Sequence, residues 1–356
     1  MEFEFKPDWP QAQKRLEAWW KGEIIDRCAI LVTAPRKGMK PRAIPAPADM
    51  RQRWTDPSYV VERWIADAEC MFYGGERIPS FTVNTGPTTL GQFLGCDVVF
   101  DEHTVWKLPF VEDWDRDMPT AKFDPENENW KDVIRLTEAG LQAAPGRFMV
   151  GVTDLGGFSD VVAAARGAEG LCTDLVDCPE KVLRLREPIL DAWQQMFDTL
   201  HGMITAKLEG GVGWMGVWGP GSVFHPQDDF SCMISKPLFD EMFLPGLLRQ
   251  FRHIDYSIYH LDGPNAIRHL DSLLAAKDLA AIQWVQGAGH GPMSDWIPLL
   301  KRIQAGGKRI HAWCDIDEVE TVMRELSSKG LMIVTHAPTE TQARELLKKV
   351  ADWTHD

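Results

Sequence analysis

The stretch "YSIYHLDG", from Tyr256 to Gly263, indicates both how the chain folds and where its site lies. Its aromatic and apolar residues predict a β-strand, and the glycine that ends it predicts a turn. Residues two apart on a strand point to the same face, so His260 and Asp262 can enter one site together. A hydrogen-bonded strand end without any ligand is the alternative interpretation of this pair.

Seven other segments share this pattern of a short apolar run followed by a turn signal, and most are separated by one segment of helical period. They are "CAILVTAP" from Cys28, "SFTVNTGP" from Ser80, "RFMVGVTD" from Arg147, "GVGWMGVWGP" from Gly211, "LAAIQWVQG" from Leu279, "KRIHAWCD" from Lys308 and "LMIVTHAP" from Leu331. Eight parallel strands joined by right-handed crossovers close most naturally into a barrel. We therefore predict an α/β fold, a (β/α)8 TIM barrel. A doubly wound open sheet is the alternative, weakened by the absence of a GxGxxG turn after the first strand.

Three segments show helical spacing most clearly. The stretch 235–254 predicts one helix that begins at Ser235, and the stretch 294–306 predicts another that ends at a glycine. The third opens with Thr339 and Gln342 in capping-box spacing and places apolar residues on one face.

The region between the second and third predicted strands interrupts this regular alternation. Residues from about 95 to 145 are rich in acidic residues, tryptophan and proline, with a helical stretch over 131–144. Their apolar content is too low for a separate core. We predict one domain over residues 1–356, with this insertion lying over the barrel mouth.

The composition restricts the function classes. The net charge of −14 would repel a nucleic-acid backbone or an anionic membrane, so we expect a small-molecule substrate, no nucleic acid and no membrane partner. The seven scattered cysteines include no CxxC pair, which disfavours a disulfide framework. The opening "MEFEFKPDWP" lacks a leader pattern, and no apolar run is long enough to span a bilayer. We expect a cytoplasmic protein.

Polar residues close several of the predicted strands, where the active site of a barrel lies. His336 ends the eighth strand and is the expected third metal ligand beside His260 and Asp262, with Cys314 a weaker fourth. Three protein ligands and one open position suit a catalytic Zn²⁺ or another divalent metal.

The loop "HPQDDFSCMISKP" follows the fourth strand and carries His225, Asp228 and Asp229. Paired carboxylates there can orient a substrate or transfer a proton, and we predict both aspartates as catalytic. Their presence at a helix start is the alternative explanation. The expected substrate-binding residues are Arg36, Trp218, His225, Gln283 and Trp284, the tryptophans as flat walls.

From about Phe148 to its end, the chain resembles the uroporphyrinogen decarboxylase superfamily. The matching pieces are "GVTDLGGFSDVVAAARGAEGLCTDLVDCPEKV", "DDFSCMISKPLFDEMFLP", "YHLDG" and "THAPTETQARELL". The resemblance implies a (β/α)8 barrel and a choice between porphyrinogen decarboxylases and zinc-dependent methyltransferases that act with corrinoid proteins. It also implies, by analogy, a homodimer.

The chain departs from both branches of this superfamily. The methyltransferase branch has His-x-Cys-Gly after the fifth strand and a late cysteine, whereas this chain has His260, Asp262 and Gly263 and then His336. This donor set favours a harder metal than a thiolate set does. The decarboxylase branch has Met-Arg-Gln-Ala-Gly-Arg after the first strand, where "LVTAPRKG" keeps only Arg36 as a loose counterpart.

These observations lead to one main hypothesis and two alternatives. The chain is predicted to be a metal-dependent enzyme of this superfamily that transfers a methyl group from a small methylated substrate to a corrinoid protein or a thiol. The first alternative is a cofactor-free decarboxylase or lyase acting on a small acid, with Arg36 and His336 supplying the electrostatic stabilisation. The second is a barrel that binds a sugar or an aromatic compound without turning it over.

Overall fold

The computed structural model describes residues 3–119 and 121–356. It is a mixed α/β structure, so the predicted α/β class is confirmed. The strands of the described residues are β1 Ala29–Pro35, β2 Met71–Gly75, β3 Ser80–Thr82, β4 Asp97–Phe100, β5 Val105–Leu108, β6 Met149–Gly151, β7 Gly211–Val212, β8 Trp218–Gly219, β9 Val223–Phe224, β10 Tyr256–Asp262, β11 Ala281–Val285, β12 Arg309–Trp313 and β13 Leu331–His336.

Helices connect most of these strands. The α-helices are α1 Trp9–Lys21, α2 Met50–Thr55, α3 Pro57–Glu69, α4 Trp114–Asp117, α5 Glu128–Ala143, α6 Phe158–Arg166, α7 Ala168–Asp177, α8 Pro179–Leu183, α9 Arg186–Thr205, α10 Lys236–Met242, α11 Leu244–His253, α12 Leu270–Ala275, α13 Ile297–Ala305, α14 Val319–Glu325 and α15 Glu340–Trp353. Short 3₁₀ helices cover Thr89–Phe93, Asp229–Met233, Pro264–His269 and Met293–Trp296. None of the helices in the described ranges combines the length and apolar content that crossing a bilayer requires.

Seven strands form one curled sheet in the order β2-β1-β13-β12-β11-β10-β9. Its pairs are parallel except for β1 with β2, which are antiparallel. Strands β3 and β6 form a separate parallel pair, and Val152 N donates to Val212 O at 2.9 Å beside β7. All eight predicted segments contain strands, but the hydrogen bonds among the described residues do not join them into one closed barrel.

The stretch 235–254 forms two helices where the sequence predicts one. Helix α10 ends at Met242 and α11 begins at Leu244, with Pro245 in its first turn. Proline has no N–H to bond the carbonyl four residues earlier, so a single continuous helix would be interrupted there. The predicted cap of the last helix is present, since Gln342 N donates to Thr339 Oγ1 at 3.2 Å.

The region that the sequence predicts as an insertion contains the antiparallel hairpin of β4 and β5 and the helices α4 and α5. Lys107 of β5 donates from Nζ to Thr85 O at 2.5 Å, which ties the hairpin to the loop after β3. Its treatment as an insertion within one domain stays a prediction.

The inner and outer faces of β10 to β12 differ in polarity. The strand register pairs His260 with Gln283 and Gln283 with His311, so these three side chains share one face. The next residues along, Leu261 and Trp284, face the opposite side and are almost fully buried. The polar side chains of these strands therefore point to the inner face, whereas the apolar side chains pack into the core on the outer face.

Candidate metal centre and adjoining cavity

Three side chains meet at the carboxyl end of β10. His260 and Asp262 lie two residues apart on the strand, and Asp229 joins them from the start of the 3₁₀ helix Asp229–Met233. One ligand atom from each residue lies within 4.8 Å of the others. We call these three residues the acidic cluster, and it has the composition of a divalent-metal site.

Hydrogen bonds fix the imidazole of His260. Its Nδ1 lies 2.5 Å from Gln283 Oε1, and Gln283 Nε2 lies 3.2 Å from Nδ1 of His311. An amide oxygen only accepts, so His260 donates its Nδ1–H and keeps the lone pair on Nε2. That Nε2 faces Asp229, with Oδ1 at 4.0 Å. A polar partner on the other ring nitrogen is what orients metal-binding histidines in general.

The electrostatics of the acidic cluster favour a cation. The surrounding protein raises the pKa of Asp229 to about 7, mainly by removing water and further through the negative charges of Asp262 and Asp154. The Oδ1 of Asp262 is buried and has no hydrogen-bond partner in the described structure. A bound cation would satisfy that oxygen and relieve the repulsion among the carboxylates.

Two neighbouring carboxyl groups support this loop without joining the cluster. Asp228 is buried and accepts from the Ser159 hydroxyl, and burial raises its pKa well above the usual range. Asp160 accepts from the backbone N–H of Asp229 at 3.1 Å and of Phe230 at 2.9 Å. Asp160 thus holds the first turn that places Asp229 beside His260, a role that the sequence analysis missed.

A cavity of about 400 Å³ lies next to the cluster. Its lining includes Arg77, Asn84, Asp154 and Trp214. The rings of Trp214 and His260 are 5.5 Å apart, so this indole borders both the cavity and the acidic cluster. A cavity of this size with a few polar groups suits a small molecule.

The structure places the other predicted metal ligands outside the cluster. His336 is exposed, and its Nδ1 lies 3.0 Å from Thr33 Oγ1. Strand β13 is three strands from β10, roughly 14 Å along the sheet at ~4.8 Å per strand, and Asp229 stands in the place expected for His336. Cys314 is buried, and burial raises the pKa of its thiol, which disfavours the thiolate that a metal needs.

The two tryptophans predicted as pocket walls lie in the core. Trp284 faces the outer side of the sheet and packs against Trp296, with ring centroids 4.9 Å apart. Trp218 packs against Trp9, and its Nε1 donates to Glu209 O at 2.9 Å. Gln283 and Trp284 are consecutive on one strand, so only one of them can point inward.

The remaining predicted substrate-binding residues take three different positions. Gln283 contacts the acidic cluster through His260. His225 is fully buried behind Trp214, whose Nε1 donates to His225 O at 3.1 Å. Burial lowers the pKa of His225 well below its usual value, so the ring is neutral. Arg36 lines a separate cavity together with Phe72.

The comparisons with known proteins show a likeness of fold. The chain is similar to a solved structure described as a methyltransferase from Methanosarcina mazei, with 11% identity, 96% of this chain and 98% of that chain covered, and a TM-score of 0.60. It is also similar to a B12-independent methionine synthase from a Shewanella species, with 9% identity, coverage of 61% and 64%, and a TM-score of 0.36. No protein-family model and no curated protein matches the chain.

Proposed function

We propose that this chain is a metal-dependent methyltransferase of the uroporphyrinogen decarboxylase superfamily, built on a (β/α)8 barrel. The likeness in fold to the methyltransferase structure from Methanosarcina mazei extends over 96% of the chain and supports this barrel architecture. The observation that carries the metal dependence is the acidic cluster, with its oriented imidazole and its unpartnered buried carboxylate oxygen.

The three cluster residues fit a divalent metal by their donor atoms. His260 would offer Nε2, while Asp229 and Asp262 would each offer a carboxylate oxygen, which together form a set that suits Zn²⁺ or a harder divalent ion. When bound, such an ion supplies a Lewis acid that polarises the atom carrying the methyl group. The predicted ligand set thus keeps His260 and Asp262 and takes Asp229 in place of His336.

In the proposed transfer, the bond between the methyl carbon and its donor atom breaks, and the donor atom keeps the bonding pair. The acceptor, a thiolate or the reduced cobalt of a corrinoid protein, supplies the pair for the new bond to carbon. Gln283 holds His260 in the tautomer that leaves Nε2 free, and Asp160 holds Asp229 in place. Trp214 would form a wall of the substrate site beside His260.

Metal analysis of the purified chain tests this proposal. We expect about one equivalent of divalent metal per chain, and a metal affinity more than about 100-fold lower in His260→Ala, because losing a ligand should cost more than losing its supporting partner. His253→Ala is the matched control, since His253 ends α11 before the start of β10, at the opposite end of that strand from the cluster, and lies 2.6 Å from Asp198 at the surface. Methyl transfer should stop in chelator and return on adding Zn²⁺.

Two results would contradict the proposal. A chain that binds no divalent metal, or binds it equally well as His260→Ala, would remove its basis. Turnover of a small acid that persists in chelator would support the cofactor-free decarboxylase or lyase instead.

A further inference from the structure

Arg77 is a charged group of the cavity that the proposed methyl transfer does not use. It follows β2 and lines the cavity beside the acidic cluster. Its Nη1 donates to Met215 O at 3.2 Å, while its Nε is buried and has no hydrogen-bond partner among the described residues. Burying a guanidinium N–H without a partner costs free energy, so a ligand atom is expected there.

No carboxylate of the described structure neutralises this guanidinium. Burial lowers the pKa of Arg77, and the nearby Tyr73 acts in the opposite direction. Asp154 lines the same cavity, but its carboxylate already accepts from Thr88 N at 3.2 Å and Gly156 N at 2.8 Å. The cavity therefore holds a cation whose hydrogen-bonding capacity is largely unused.

We propose that Arg77 binds a carboxylate group of the substrate. This inference rests on the proposed function in taking the cavity beside the acidic cluster as the substrate site. With Nη1 engaged by Met215 and Nε buried, a ligand carboxylate reaches the guanidinium from the Nη2 side, and a two-point contact also requires a shift of the side chain that uncovers Nε.

The charges and the aromatic walls of the cavity restrict the class of ligand further. One guanidinium balances one negative charge, whereas the carboxylates of Asp154 and the nearby cluster would repel a dianionic phosphate. Trp64 and Trp214 line the cavity with flat apolar surface. The substrate class is thus a small monocarboxylate with an apolar body, its carboxylate at Arg77 and its reacting group toward His260.

Calorimetric titration of the full chain in chelator tests the inference without any contribution from a metal. The probes are benzoate, its uncharged analogue benzamide, and inorganic phosphate. We expect benzoate to bind about ten-fold or more tightly than benzamide, because it adds a charged hydrogen-bonded contact, and phosphate to bind more weakly than benzoate.

Variants assign the effect to Arg77. Arg77→Met should weaken benzoate binding by about ten-fold or more, and Arg77→Lys should restore part of it. Arg324→Met is the matched control, since Arg324 is an exposed residue of α14 that donates to Glu320 at 2.9 Å, and it should leave benzoate binding unchanged. Circular dichroism checks that each variant folds. If Arg77→Met does not fold, the wild-type comparison of benzoate with benzamide decides.

Equal affinity for benzoate and benzamide would overturn the inference, and so would a folded Arg77→Met variant that binds benzoate as the wild type does. Phosphate binding tighter than benzoate would overturn the assignment to a monocarboxylate. A chain that binds one metal ion but no benzoate refutes this inference alone. A chain that binds benzoate through Arg77 but no metal refutes the metal proposal alone.

Discussion

The wall of the site built by β10 and the Asp229 turn differs from the wall built around β2 and β3 in the charge that it carries. On the first wall, the pKa of Asp229 is raised to about 7 and an oxygen of Asp262 lacks a partner. On the second, burial lowers the pKa of Arg77, and behind this wall burial lowers the pKa of Lys107 on β5 to about 8. Other groups of the protein therefore neutralise the charge on each wall only in part. We call the first the acidic wall and the second the basic wall.

This difference in charge implies that the two walls bind different ligands. An excess of carboxylate beside an oriented histidine suits a metal cation. A buried guanidinium with a free edge suits an anion. Because Trp214 lines the cavity of Arg77 and its ring lies 5.5 Å from that of His260, a substrate that extends along this indole can be held at one end and react at the other.

Apart from the loss of a metal ligand itself, the largest fall in metal affinity is expected from substitution of Gln283 on the acidic wall. Gln283→Leu removes the acceptor that fixes the His260 tautomer, and we expect metal affinity to fall by about 10- to 100-fold. Trp284→Phe is the control on the outer face of the same strand. It should leave metal affinity unchanged and lower the free energy of unfolding by about 1–3 kcal/mol. Competition with a metal-binding dye measures both affinities. Unchanged affinity in Gln283→Leu would show that His260 needs no support.

An effect on the pH dependence of stability, and not on metal affinity, is expected from Lys107 behind the basic wall. Its pKa is about 8 in the folded chain and near 10.4 when unfolded, so between these values the unfolded chain binds more protons. The stability of the wild type should therefore rise with pH from about 8 to about 10.4, by up to roughly 1.4 kcal/mol per unit of pKa difference. Lys107→Met should lack this rise. Urea unfolding of both proteins at pH 7 and 9.5 measures it, and a pH-independent difference would contradict the lowered pKa.

The smallest change in metal affinity is expected from substitution of His336. Because its ring is exposed and contacts Thr33, His336→Ala should change metal affinity by no more than about 0.5 kcal/mol, roughly a factor of two. The same dye competition measures it. A loss as large as that in His260→Ala would favour the ligand set predicted from the sequence and would weaken the case for Asp229.

Much of the fold could be predicted because each strand carries its own local signal. Short apolar runs followed by a turn signal identify all eight predicted segments, and alternation along β10 places His260 and Asp262 on one face. Closure of the sheet depends on hydrogen bonds between distant segments, which local patterns do not reveal. Strand β2 was missed because "MFYGG" directly follows a helix and has only a weak strand pattern.

The site was only partly predictable for similar reasons. Asp229 was singled out as catalytic, but its distance from His260 depends on the Asp160 contacts with the 3₁₀ turn. Gln283 and Trp284 were both taken as pocket residues, although alternation along a strand allows only one to face inward. Arg77 carries no sequence signal, since what distinguishes it is the lack of a buried partner in three dimensions.

The most direct test of the metal centre compares two adjacent aspartates by titrating Zn²⁺ into chelator-treated Asp228→Asn and Asp229→Asn chains. Asp229 lies in the acidic cluster, whereas Asp228 is buried against Ser159. We predict that Asp229→Asn loses about ten-fold or more in Zn²⁺ affinity, while Asp228→Asn binds one equivalent within a factor of about three of the wild type. Equal affinities in the two variants, or a loss confined to Asp228→Asn, would contradict the proposed centre.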